Sequence, residues 1–225
     1  MGVNHSRCME HGSRSLAVTL VCLTAMTLAG GATPAKSDDE FEPNYASRML
    51  TPIEGSKVPP SLVASRQRFP MRVVVMNGFY FNERYYAAVK QACAAWVDAT
   101  KSVKGGGVTL TCEDSDDSVG ADVVIVLCSR EQAGDFSGFT DEFGAHALIR
   151  LSVFTEDNKP VSPKALKRVA MHEFGHALGI WGHSPDSKDI MSVDPETSSV
   201  SIADVNTLKL AYSGKYPPPW RRPTP

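Results

Sequence analysis

Three of the chain's six histidines fall within one short window, His172-Glu173-Phe174-Gly175-His176-Ala177-Leu178-Gly179-Ile180-Trp181-Gly182-His183. Residues four apart project from one helical face, so His172 and His176 can each aim an imidazole nitrogen at a single metal ion. Two imidazoles and a third nitrogen ligand suit zinc, which keeps a fourth position for water when its site is catalytic. Glu173 lies beside His172 and can reach that water rather than the metal. A polarised water next to a carboxylate that takes its proton is the machinery of hydrolysis. The spacing HExxH alone also turns up in unrelated helices whose histidines face solvent or core. Here Gly179 can end the helix with a positive φ, and His183 follows where a returning chain could supply the third ligand. Asp186 and Asp189 are the competing donors, since carboxylate oxygens also bind zinc.

The longer pattern resembles that of the metzincin zinc endopeptidases and, within them, the matrixins: HEFGHALGIWGHS stands here against HExxHxxGxxHS. Asp189-Ile190-Met191 is similar to the family's methionine turn, with Met191 eight residues after His183 as in matrixins, and residues 201–208 are similar to the start of its C-terminal helix. The resemblance covers about residues 71–213. It implies one catalytic zinc ion on His172, His176 and His183, general acid/base work by Glu173, a hydrophobic floor from Met191, and a protein or peptide substrate. In three respects the chain departs from the pattern. The third histidine comes one residue late, residue 182 being a glycine that cannot coordinate, and Gly182 is expected to absorb the extra residue as a small bulge. His146 is the only other histidine beyond residue 32, so a second, structural zinc is not expected. The family's latency cysteine has no counterpart in residues 33–70.

The elements that must position these residues can be read from period and punctuation. Arg72-Val73-Val74-Val75-Met76 is a strand, and residues 82–100 carry Tyr86, Val89, Cys93, Trp96 and Val97 at the spacing of a helix with one buried face. Residues 108–112 form a second strand after a glycine run, and residues 121–127 are apolar on both faces, as in a central strand. Residues 146–153 alternate, which predicts a half-exposed strand near a sheet edge, and an extended peptide substrate is expected to pair with it. Ser162-Pro163 opens a helix that runs to Leu178 before Gly179, and a last helix covers residues 201–212. The expected fold is α/β (α+β): a twisted, mainly parallel sheet with one antiparallel edge strand, an active-site helix and a C-terminal helix. Acidic segments at residues 113–117 and 135–142 could bind calcium as matrixin loops do, but their ligand spacing is not ordered and solvated loops are expected.

Composition narrows the class and compartment. Twenty-three Lys plus Arg against 25 Asp plus Glu give a net charge of -2, and no basic block is present, which argues against a nucleic-acid partner. Arg7 and Arg14 precede an apolar run over residues 16–29, followed by Gly30, Gly31 and Ala32. This reads as an export signal over residues 1–32; initiation at Met9 would make it more compact, and a retained membrane anchor is the competing reading of a run that is short for a span. Residues 33–70 read as an extended arm or short pro-segment, 71–213 as the catalytic domain and 214–225 as a proline-rich tail. The mature protein is expected to be secreted or periplasmic, monomeric and free of membrane contact. Cys93, Cys112 and Cys128 permit one disulfide or three buried thiols, and spacing chooses neither. Two rivals to a peptidase are a non-catalytic, zinc-stabilised binding module and a metal-free exported domain. A structural zinc site has no need of Glu173, which weighs against the former.

Overall fold

The structure, a computed structural model, describes residues 41–50, 69–101, 107–143 and 146–213. The signal segment, most of the arm and the proline-rich tail lie outside the described residues. Five strands form one sheet: β1 (Met71–Met76), β2 (Leu110–Ser115), β3 (Val123–Cys128), β4 (Gly138–Phe143) and β5 (His146–Ser152), in the order β2-β1-β3-β5-β4. Of the four pairings across that order three are parallel, and in the fourth β4 runs antiparallel to β5. The apolar run in β3 earns its central place: Ile125 is in register with Val75 on one side and Ile149 on the other, and all three are fully buried. β-Branched side chains fit such a pleated, enclosed surface.

The strand over residues 146–152 is not the edge. β5 pairs with β3 and with β4, and β4 forms the border of the sheet. Its alternation, with Ala147, Ile149 and Leu151 buried while Leu148 and Arg150 are only half covered, reflects a sheet whose one face meets the helices and whose other is barer. The same geometry corrects the two acidic loops. Glu113 and Asp114 belong to β2, where the Glu113 carboxylate pairs with Arg72, and Asp141 belongs to β4 opposite Leu148. Charge is tolerated in these strands because they are the two borders of the sheet, where alternate side chains can remain in water.

α2 (Glu83–Thr100) begins at Asn82, whose side chain accepts hydrogen bonds from the Arg84 and Tyr85 amides, and it buries Val89, Ala92, Cys93 and Trp96. α3 (Pro163–Leu178) opens on Ser162, whose hydroxyl accepts from the Ala165 amide, and closes at Gly179 with φ 127°. That value is open to glycine at little strain, and the cap amide donates to the Gly175 and His176 carbonyls. The Trp96 indole N–H donates to the Met171 carbonyl at 2.8 Å, fastening α2 to α3 one residue before His172. α4 (Ile202–Tyr212) starts with a capping box between Ser201 and Asp204. Within the arm, a five-residue helix, α1 (Ala46–Leu50), follows Tyr45, which is buried and donates its hydroxyl to Asp204 at 2.8 Å. Asn206 adds a bond to the Pro43 carbonyl. This part of the arm therefore packs on α4 rather than extending from it. Cys93, Cys112 and Cys128 are all free thiols. Among the described residues no helix is long and apolar enough to cross a membrane.

Candidate metal centre

α3 carries His172, Glu173 and His176 on its buried C-terminal half, and the chain after Gly179 returns His183 to the same point. One ring nitrogen of each histidine lies within 4.8 Å of the others, forming the one group of three or more donors of this kind among the described residues. The rings pack edge to face for His172 and His176 (centroids 4.8 Å apart) and nearly parallel for His172 and His183 (5.1 Å).

Backbone carbonyls select the tautomers. His172 Nδ1 lies 2.8 Å from the Ile190 carbonyl and His176 Nδ1 lies 2.6 Å from the Ile180 carbonyl. A carbonyl can only accept, so both Nδ1 atoms carry the proton and both Nε2 atoms present a bare lone pair. Those two Nε2 atoms are 3.1 Å apart. Two lone pairs facing each other in a buried site repel unless a cation lies between them. Ligand atoms held tetrahedrally about one zinc ion stand about 3.3 Å apart, so the donor set fits that ion. Burial pushes His172 down to about 4 and His176 down to about 3, and it lowers His183 too, which keeps the rings in the neutral form that can ligate.

Glu173 is buried, and this desolvation raises its carboxyl to about 7, against the opposing pull of a hydrogen bond from the Thr140 hydroxyl to Oε2 at 2.6 Å. Gly138, two residues earlier on β4, passes so near that an added Cβ would lie 2.7 Å from Glu173 Oε1. Met191 is fully buried beneath the helix. A Cβ on Gly175 would sit 2.1 Å from its sulfur, which is why a glycine occupies the interior of α3 despite its poor helix propensity. The methionine turn thus acts twice, through the Met191 side chain under Gly175 and through the Ile190 carbonyl on His172.

The loop that bears His183 is tied by its neighbours. The Ser184 amide donates to the Met191 carbonyl at 2.8 Å, and the Ser184 hydroxyl donates to the Asp189 carboxylate. Asp186 accepts from the Lys188 amide at 2.9 Å. Both aspartates are engaged within the loop, and neither joins the three histidines. Gly182 is buried and has no positive φ; the left-handed freedom is used at Gly179 alone among the glycines of this segment. Asp204, fully buried, accepts from the Ile190, Met191 and Ser201 amides as well as from Tyr45 and so holds the turn from below. His146 stands apart at the foot of β5, its Nδ1 against the Ala121 carbonyl.

The residues named from sequence, the three histidines, Glu173 and Met191, lie together here, and Thr140, Gly138, the Ser184–Asp189 bond and the several bonds made by Asp204 join them without having been anticipated. The capping spacing Ser201-x-x-Asp204 was a visible signal for the last of these, and the rest depend on chain returns that no local spacing announces. A search of curated proteins found no match. Residues 80–213 match the family model described as Matrixin. That match spans more than half of the chain and includes α2, the sheet from β2 onward, the histidine cluster and α4, so the chain belongs to the matrixin family of zinc metallopeptidases.

Proposed function

We propose that this chain is an exported endopeptidase in which His172, His176 and His183 hold one zinc ion and Glu173 is the general base. The observation that carries the reading is the convergence of three neutral imidazoles beside a buried carboxyl that has no cationic partner within the described residues. When bound, zinc supplies Lewis-acid polarisation of a water molecule and of the scissile carbonyl. Glu173 then takes a proton from the attacking water; the O–H electron pair stays with the oxygen that adds to the carbonyl carbon. The same carboxyl returns the proton to the departing amine, so atoms and charge balance over the cycle.

An extended substrate has a binding edge at β4. That strand is the border of the sheet, and its residues Gly138 and Thr140 lie against Glu173, so a peptide added along its free side would pass the carboxyl. This replaces β5 as the substrate-pairing strand. Residues 1–32 act as a signal peptide and residues 71–213 as the catalytic domain, so intact mass of the exported protein should show a start between about residue 30 and residue 38. The deciding experiment incubates mature wild-type protein and Glu173→Gln with a peptide library while metal content is measured on the same preparations. Both should carry zinc, and the variant should cleave roughly 100-fold or more slowly. Undiminished cleavage by Glu173→Gln would overturn the base assignment, and a wild type that binds zinc without cleaving any peptide would favour the binding module.

A further inference from the structure

We infer that Thr140 is a positioning residue for Glu173, so that the edge strand β4 sets the reactive carboxyl as well as offering a place for substrate; this rests on Glu173 being the general base. The Thr140 hydroxyl has one proton, and the nearest acceptor is Glu173 Oε2 at 2.6 Å, with the Glu173 backbone carbonyl farther off at 3.2 Å. Thr140 is itself buried, which removes water as a competing partner. A glutamate has three side-chain torsions to fix, and a single charge-assisted bond to one oxygen selects among its rotamers. The consequence is a division of labour between the carboxyl oxygens: Oε2 is tied to Thr140, and Oε1 is the one left to take a proton.

Gly138 supports the same assignment from the other side. It is two residues from Thr140 and so on the same face of β4, where a Cβ would lie 2.7 Å from Oε1, 2.8 Å from Glu173 Cγ and 2.6 Å from Val169. The absence of a side chain there lets the strand approach close enough for the Thr140 bond to form. The two positions together make a notch in β4 that receives the carboxyl. Serine keeps the hydroxyl at residue 140 and valine keeps the shape without it, so the two substitutions separate the bond from the packing.

The test compares Thr140→Val and Thr140→Ser, each alone and combined with Glu173→Gln, by steady-state kinetics on a cleaved peptide, zinc affinity and crystal structures of the metal-free proteins. Thr140→Val should lower kcat roughly 10- to 100-fold, the value of a hydrogen bond to a charged group, while KM and zinc affinity stay within about twofold. Thr140→Ser should recover most of the loss, and Thr140→Val should have no further effect in the Glu173→Gln background. In metal-free crystals Glu173 should hold one rotamer in the wild type and the serine variant, and should leave it in the valine variant. Wild-type kcat in Thr140→Val, or an unmoved Glu173 side chain, would overturn the inference while leaving the general-base reading intact; a fully active Glu173→Gln would overturn that reading itself.

Discussion

His172 and His176 stand on a helix capped at both ends, and each ring is turned by a backbone carbonyl that lies no more than 18 residues away in sequence. His183 stands on a loop, is the most exposed of the three, and among the described residues has no hydrogen bond to its ring. The first pair is oriented by hydrogen bonds to the rings themselves. The third ring is aimed only through its backbone, by the Ser184 bonds to Met191 and Asp189. Two of the three candidate ligands are thus built into regular structure, and the third depends on a loop that must be closed before it can contribute.

If that contrast holds, His176→Ala should lower zinc affinity most, because it leaves one helical ligand and one on the loop. His183→Ala should follow, leaving the helical pair intact. Both losses should exceed the roughly 10- to 100-fold that follows when a residue merely supporting a ligand is removed. Competition against a chromogenic chelator gives the order, and a larger loss in His183→Ala would invert the comparison. Asp189→Ala is the next effect down: stoichiometry at saturating zinc should stay at one ion per chain, with affinity reduced roughly tenfold as the His183 loop loosens.

On the helical side, Gly175→Ala places a methyl group against Met191 and should destabilise the fold by about 1–3 kcal/mol, read as a lower urea midpoint. An unchanged midpoint would mean that the turn shifts freely and is no floor.

A pH dependence sharpens the contrast further. In the metal-free protein His172 and His176 are held below their ordinary 6.5, at about 4 and about 3, so the unfolded chain binds their protons first and stability falls as the pH drops from 6.5 toward 4. Glu173, raised to about 7, has the opposite sign: its contribution is present below 4.5 and is lost as the pH rises through 7. Two histidines outweigh one glutamate between pH 5 and 6.5, so stability should rise with pH there, and more steeply in Glu173→Gln. A fall over that range would contradict the neutral-ring assignment. Smallest of all, Asp186→Ala should change zinc affinity by less than about twofold, since its carboxylate only caps the Lys188 amide.

The same division decided what could be read from sequence. α3 was legible because its signals are local: Ser162-Pro163 at the start, Gly179 at the end and two histidines four apart. The loop register was legible through the spacing from His183 to Met191, and the positive φ that ends the helix lies at Gly179, where the sequence placed it. β4 was not legible. Gly138-Phe139-Thr140-Asp141-Glu142-Phe143 has glycine and two acids where a strand usually shows an apolar alternation, and it becomes a strand by pairing with β5. Thr140 could not be recognised before that pairing placed it on Glu173. Nothing local explains Gly175 inside a helix; the reason is Met191, sixteen positions later, whose sulfur lies where a Cβ would sit.

Zinc K-edge X-ray absorption on the zinc-loaded protein tests the central claim most directly, because it counts the imidazoles on the ion. The account predicts three histidine nitrogens at about 2.0–2.1 Å plus one oxygen, falling to two histidines in His183→Ala. Two histidines in the wild type, with a carboxylate in the place of the third and no change on removing His183, would contradict it.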